Sequence, residues 1–393
     1  MALFRSGGGG NSNNVYGMII DWRTSDPSKK VTYIGTNANF TPAKVNLSTG
    51  EFDYGDWKDA WFMPKPCMLK RDGTVAYYLD KSDYTKKSDG TASDVTNTAF
   101  EGNAMMEWPQ IWWKVIPFDS DGAAVVYFAP KQADENYHAW CNYDKDNVLK
   151  PHFYTAIYIA SYVDGCARSM SGLTITTNRT VTQEVAAATA NGDGWYTMTF
   201  AQFTIIALLG TLIGKSTNSQ AVFGNGMSGT SESYVTTIVT GKADANGMFY
   251  GKNTTGDWLK IFGMEHLYSG VWSRGAGLIG VNGTYYYKLT RGTADGTTAT
   301  DFNQTGSGYL KGTSIPAFNF TTAVKFYSIG IALGASTGNY DGYYYTDKQG
   351  GDTGYLMLYG PIGRGTASGL WCNVCTNGAT EAYANTGIHI SYT

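Results

Sequence analysis

Thr199-Phe-Ala-Gln-Phe-Thr-Ile-Ile-Ala-Leu-Leu-Gly-Thr-Leu-Ile-Gly214 contains the longest apolar run of the chain. It sets Phe203, Ile206, Leu209, Leu212 and Ile213 at helical intervals. Gln202, Thr204, Gly210 and Thr211 interrupt it, and it is too short to cross a bilayer. The stretch therefore reads as a helix buried in a core. Just upstream, Thr182-Gln-Glu-Val-Ala-Ala-Ala-Thr-Ala-Asn-Gly192 reads as a second helix, with Thr182 as N-cap, an Ala-rich body and a Gly stop. The Asn191–Trp195 turn joins the two.

Around this helical island the pattern is β. Tyr16–Trp22 and Val31–Gly35 read as strands across the turn signal Ser25-Asp26-Pro27. Pro64–Leu79 reads as a hairpin turning at Arg71-Asp72-Gly73. Met105–Ile116 and Ala123–Phe128 follow as strands, with Trp108, Trp112 and Trp113 expected in the core. Beyond residue 216 the chain is rich in Gly, Ser, Thr and Asn, with short strands at Thr284–Leu289 and Val324–Gly330. The end, Ile388-His-Ile-Ser-Tyr392, alternates as a strand does. The fold class is α+β: a small antiparallel sheet, two helices and long Gly/Tyr-rich loops. No repeat of fixed period is visible. The expected divisions are a Gly/Ser/Asn arm at 1–14, N-terminal strands and a hairpin at 15–100, and a main domain at 101–393.

Composition narrows the function. The net charge is −3 over 393 residues and no basic run is present, which argues against nucleic acid as a partner. Charged residues are 16%, against 49 Gly and 29 Tyr. That mixture is typical of binding loops, where Tyr supplies contact area at low entropy cost. Met1-Ala-Leu-Phe-Arg5 runs directly into Ser6-Gly-Gly-Gly-Gly-Asn11, unlike a secretory leader. Five cysteines in this length do not make a disulfide scaffold, so synthesis in a reducing cytoplasm is expected.

Reactive chemistry finds little support. Cys372-Asn-Val-Cys375 has redox spacing, yet no helix start follows to lower a thiol pKa. Cys67, Cys141 and Cys166 supply no second pair for zinc. His138, His152, His266 and His389 are scattered, and no Gly-x-Ser-x-Gly elbow occurs. Asp144-Lys-Asp-Asn147 loosely resembles a calcium loop but lacks Gly at the sixth position and Glu at the twelfth. No metal and no cofactor is expected, and the reading is non-enzymatic.

The order of several motifs resembles a family of phage structural proteins of gut bacteria with a C-type-lectin-like, formylglycine-generating-enzyme-like fold. Many members are targets of diversity-generating retroelements. The matching elements are Met106-Glu-Trp-Pro-Gln-Ile-Trp-Trp-Lys114, Tyr158-Ile-Ala-Ser-Tyr-Val-Asp-Gly-Cys-Ala-Arg-Ser-Met-Ser-Gly172, Gly194-Trp195, Thr217-Asn-Ser-Gln220 with Gly224-Asn-Gly226, and Ile261-Phe-Gly-Met-Glu-His-Leu-Tyr-Ser-Gly270. Lys65-Pro-Cys-Met-Leu69 and Tyr84-Thr-Lys-Lys-Ser-Asp-Gly-Thr-Ala92 extend the match, which covers most of 16–290. The resemblance implies that the N-terminal strand (17–22) pairs with the C-terminal one (386–392), with two helices on the sheet and long loops displayed on one side. The oxidases of this fold bind copper through a late cysteine pair spaced four residues apart, whereas Cys372 and Cys375 enclose two. Binding would be calcium-independent, because the Glu-Pro-Asn and Gln-Pro-Asp sugar motifs are absent.

The contact residues expected from chemistry lie in Tyr359–Thr393, most of all in 364–385. Trp371, Asn373, Thr376, Asn377, Tyr383 and Asn385 combine aromatic faces with adaptable hydrogen-bonding groups, or else form an ordinary irregular loop. Tyr343 and Tyr345, in Asn339–Asp347, are expected either in ligand contact or in packing between subunits. Two functions fit. The first is a virion protein of a tail or head fibre that attaches to a host glycan or protein, tethered to other phage structural proteins by its N-terminal arm and assembled as a homo-oligomer, a trimer being favoured. The second is a purely structural capsid or tail component. Neither involves membrane insertion.

Overall fold

The computed structural model describes residues 14–21, 24, 26–117, 123–254, 256–281, 284–287, 303–307, 311–312, 344–345, 353–365 and 368–393. At 117, 232, 284–285, 287, 303–307, 311–312, 344–345, 353 and 373–377 it is the backbone alone that is described. The arm at 1–13, Trp22, the strand expected at 324–330 and Tyr343 lie outside the described residues.

Among the described residues two α-helices and one short helical segment form, labelled α1 (Val181–Thr189), α2 (Phe200–Gly214) and α3 (Ser219–Phe223). α2 starts where the sequence predicts. The Thr199 hydroxyl accepts the Gln202 N–H at 3.3 Å and the Gln202 side chain accepts the Thr199 N–H at 2.9 Å. Every residue from Phe200 to Ile213 is buried, so the helix is enclosed on all its faces rather than along one stripe. The N-terminal part of the chain reaches its last turn through the Tyr33 hydroxyl, which donates to the Leu212 carbonyl at 2.6 Å. The C-terminal segment reaches its first turn through Tyr359, whose ring meets Phe203 edge-on at 5.1 Å.

α1 begins two residues earlier than expected. Thr180, not Thr182, is the N-cap, because only Thr180 has a Gln three residues on. The Thr180 hydroxyl accepts from the Gln183 N–H at 3.3 Å, and the Gln183 side chain accepts from the Thr180 N–H at 3.1 Å. Val185, three residues after Thr182, could not return such a bond.

The sheets are mostly antiparallel. A four-stranded sheet runs in the order Val31–Gly35, Tyr16–Asp21, Ala123–Ala129, Trp112–Pro117. A six-stranded sheet runs Trp195–Thr197, Ile390–Tyr392, His152–Ala156, Gly102–Pro109, Lys65–Lys70, Val75–Tyr78, drawing strands from both sides of residue 100. The largest sheet has eight strands and centres on Trp272–Val281, flanked by Thr284–Tyr287 and Thr353–Leu358. The architecture is α+β as expected, but among the described residues it holds several mostly antiparallel sheets of up to eight strands in place of one small sheet. Trp108, Trp112 and Trp113 are buried in the core as expected.

The expected pairing of the two terminal strands does not occur. Tyr16–Asp21 has both edges filled, by Val31–Gly35 and Ala123–Ala129. Ile390–Tyr392 slots between His152–Ala156 and Trp195–Thr197, with Tyr392 opposite both Tyr154 and Trp195. Neither strand has a free hydrogen-bonding edge to offer the other.

The hairpin turn at Arg71–Gly73 forms as predicted. There Asp72 accepts the Thr74 N–H at 2.9 Å and the Thr74 hydroxyl at 2.6 Å. The same Asp-x-Ser/Thr device recurs at Asp26, Asp80, Asp83 and Asp89. Hydrogen bonds to the ionised form hold all five carboxyls below their ordinary range. Among the described residues no helix is long and apolar enough to cross a membrane.

Candidate binding surface

The C-terminal segment is built onto the middle of the molecule from three directions. After Thr353–Leu358 the chain turns at Tyr359 and Gly360, both at positive φ, and the Tyr359 hydroxyl donates to the Phe203 carbonyl. Ile362 donates its N–H to Gly270 at 3.0 Å, and Gly365 to Ser228 at 2.7 Å. The Gln220 side-chain amide donates to the carbonyls of Gly365 and Ser368, each at 2.8 Å. The backbone of this stretch is tied at Ile362, Gly363, Gly365, Gly369 and Cys372.

Asn373–Asn377 then forms a strand between Thr353–Leu358 and Tyr344–Tyr345. The register sets Tyr344 opposite Asn373 and Tyr345 opposite Val374. Tyr344–Tyr345 and Asn373–Asn377, each part of a stretch singled out from the sequence, thereby lie on neighbouring strands. The side chains of Tyr345, Asn373, Thr376 and Asn377 are not among those described.

The loop 378–385 is held by a buried clamp. Arg274, from the strand Trp272–Val281, is 1% exposed. Its guanidinium donates to the Glu184 carboxylate and the Arg179 carbonyl, both at 2.9 Å, and to the Glu381 carbonyl at 2.7 Å. Burial pushes the Glu184 carboxyl up to about 7, against the pull of Arg274. Val181 at the start of α1 donates its N–H to Ala379 at 2.9 Å, Asn178 to Tyr383 at 2.9 Å, and Trp272 to Asn385 at 2.8 Å. Tyr383 itself is 39% exposed. An aromatic ring thus stands in solvent on a loop whose backbone is fixed at both ends and in the middle.

Trp371 is placed otherwise than its sequence context suggests. It is buried, and its indole N–H donates to Thr211 of α2 at 2.8 Å. It anchors the segment to the core and presents no surface. Asn385 is half-buried with its carbonyl used by Trp272. Among the described residues two exposed aromatics escaped the sequence reading: Tyr78, 37% exposed at the end of the strand Val75–Tyr78, and Tyr234, 54% exposed on the turn Glu232–Thr237. The Tyr234 loop and the Tyr383 loop both hydrogen-bond the stretch 174–178, through Ile238 to Ile175 and Tyr383 to Asn178. The signal was present in Gly229-Thr-Ser-Glu-Ser-Tyr234, a lone aromatic among small polar residues.

Among the described residues no group of three or more His, Cys, Asp or Glu is placed to hold a metal ion. Cys67, Cys141, Cys166 and Cys372 are buried thiols, and the Cys375 side chain is not described. Asp144 accepts the N–H groups of Asp146 and Val148 and pairs with Lys150 at 2.8 Å, so its loop is closed by the protein's own groups. His266 and His389 are fully buried, and desolvation pushes them down to about 3 and about 4.

No family model matches the chain, and no curated protein matches it. Among solved structures it is similar to the U1, P3c and M1 variants of Major Tropism Determinant, at 13%, 12% and 13% identity. Each alignment covers 84% of this chain and 72% of the other, with a TM-score of 0.32. At that identity and score the likeness by itself assigns no role to the chain.

Proposed function

We propose that this chain is a non-enzymatic virion protein of a bacteriophage, carried on a tail or head fibre, that uses displayed loops of a C-type-lectin-like fold to attach to a glycan or protein of the host surface. The observation that carries the reading is the loop 378–385. It sets Tyr383 in solvent on a backbone that Arg274, Asn178 and Trp272 hold in place. Rigid aromatic anchors with few rotatable bonds give contact area at little entropic cost. The ordered motifs across residues 16–290 support the phage assignment, and the tyrosine-, asparagine- and glycine-rich C-terminal segment supports a contact role. The contact set on this reading is Tyr383 and Asn385, with Tyr345, Asn373, Thr376 and Asn377 on the adjoining strands. Trp371 serves as their anchor in the core. Many copies per particle, as trimers held by the N-terminal arm, would multiply a weak single-site affinity.

A structural role in the particle has one observation in its favour. Ile116, 44% exposed, lies on the edge strand of the four-stranded sheet and would suit a subunit contact. The discriminating experiment is labelling of Tyr383 and its neighbours in intact particles. Accessibility together with loss of host-envelope binding in Tyr383→Ala supports attachment. Burial of 378–385 against other particle proteins refutes it.

A further inference from the structure

A second surface, made of other residues, has the chemistry of a ligand site. A cleft of about 1260 Å³ opens between residues 49–66, the end of the Val75–Tyr78 strand with the turn after it, and the loop 245–250. That exceeds the roughly 300–1,000 Å³ of sites that enclose a small molecule. Its back wall is a fixed aromatic cluster. Phe52 stacks on Phe249 at 4.2 Å, and Tyr54 meets both edge-on at 4.9 and 5.6 Å. At the other end Tyr78 is 37% exposed, its ring held by the hydroxyl donating to Glu107 at 3.0 Å.

The rim carries three carboxylates, Glu51, Asp59 and Asp80, and three ammonium groups, Lys58, Lys65 and Lys81. Asp59, Lys58, Lys65 and Lys81 form no ion pair with any described residue, although both signs crowd one opening. Hydrogen bonds from Ser82 keep Asp80 ionised. The loop 245–250 is anchored from below. Asp244 accepts from the hydroxyls of Tyr158 and Ser171, and the Lys260 ammonium donates to the Ala243 carbonyl at 3.0 Å while lying over the Tyr84 ring. The walls are therefore preformed.

We propose that this cleft binds an oligosaccharide, as a site separate from the loop surface at Tyr383 and independent of whether that surface attaches to a host. Sugar hydroxyls take donors and acceptors in close alternation, which balanced carboxylates and ammonium groups supply. The C–H faces of a pyranose ring lie against the electron-rich face of Tyr54 and against the Tyr78 ring, over which the Lys65 ammonium sits 5.6 Å from the centroid and can turn to a sugar hydroxyl. The alternatives fit worse. A nucleic acid needs an excess of positive charge, and the rim has none. A peptide strand needs an open sheet edge, and the edge beside the cleft is closed, because Ser88 donates to the Tyr78 carbonyl at 2.9 Å and Asp80 to that of Lys86 at 2.9 Å.

The test is calorimetric titration of the full chain with a panel of hexasaccharides, neutral and uronate-bearing, alongside proline-free hexapeptides as a control. The result expected is binding of at least one saccharide, weakened at least tenfold by Tyr78→Ala and by the surface pair Asp59→Asn with Lys81→Gln, and unchanged by Tyr383→Ala. The double variant touches exposed side chains alone, so a folding defect cannot imitate the loss. Absence of saccharide binding across the panel, binding indifferent to the cleft variants, or binding of peptides in their place overturns the proposal. Loss in Tyr383→Ala with the cleft variants unaffected also overturns it, and moves the sugar to the loop surface.

Discussion

Replacing Glu184 by Ala should release the display loop before it unfolds the protein. The substitution leaves the Arg274 guanidinium buried, with the carbonyls of Arg179 and Glu381 as its remaining partners. Stranding one half of a buried ion pair costs about 3–5 kcal/mol. The reverse change is milder. Arg274→Met leaves a carboxyl already pushed up to about 7, which protonates and becomes neutral, so a cost of about 1–3 kcal/mol is expected, that of lost hydrogen bonds. The double variant Glu184→Leu with Arg274→Met removes both charges and should recover most of the loss. Denaturant unfolding gives the energies, and amide exchange gives the location. The N–H groups of Trp272 and Asn178, which donate to Asn385 and Tyr383, should lose protection in Glu184→Ala ahead of the α2 amides. A cost below about 1 kcal/mol for Glu184→Ala, outside the range for stranded buried charges, would refute the clamp, as would unchanged protection at Trp272 and Asn178.

Other consequences follow from single contacts. His266 and His389 are held neutral with folded pKa values below the ordinary 6.5, so the stability they permit is present above pH 6.5 and lost as pH falls toward about 4 and about 3. At pH 5 each costs about 2 kcal/mol. Glu184, raised to about 7, acts oppositely, contributing fully below 4.5 and fading as pH rises through 7. His266→Phe isolates the histidine effect: relative to the parent, the variant should gain about 2 kcal/mol between pH 7.5 and pH 5 in urea titrations, and no gain contradicts it. Gly102→Ala would place a methyl 2.1 Å from the Leu69 carbonyl oxygen in the six-stranded sheet, which should cost at least about 1–3 kcal/mol by thermal unfolding. Thr199→Ala removes one half of the α2 capping box and should cost about 0.5–2 kcal/mol. Trp371→Ala should cost about 3–5 kcal/mol as a core truncation, with affinity falling in step with the folded fraction.

Local features were legible in the sequence where they depend on neighbours along the chain. The start of α2, the Arg71–Gly73 turn and the burial of Trp108, Trp112 and Trp113 follow from spacing and turn chemistry alone. At the start of α1 two threonines compete, and the choice of Thr180 over Thr182 rests on what lies three residues on. Strand partners depend on which edges remain open after all other strands have paired, and the terminal pairing that the family resemblance implies finds both edges of each strand already filled. Trp371 sits among small polar residues, and its partner Thr211 is 160 positions away, so local context could not place it. Likewise Glu265 faces Lys260 across a local hairpin, yet nothing nearby in sequence announces that Asp244 and the Tyr84 ring join it.

The central claim concerns Tyr383, and one measurement addresses it: the affinity of the chain, presented in many copies, and of Tyr383→Ala for bacterial envelope fractions, with thermal unfolding run on both. Tyr383 is exposed and its backbone carries the loop's contacts, so stability should change by no more than about 0.5 kcal/mol. Affinity should fall by at least tenfold, about 1.4 kcal/mol, as for an aromatic anchor. Equal affinity at equal stability would contradict the account and leave the loop 378–385 without a role in attachment.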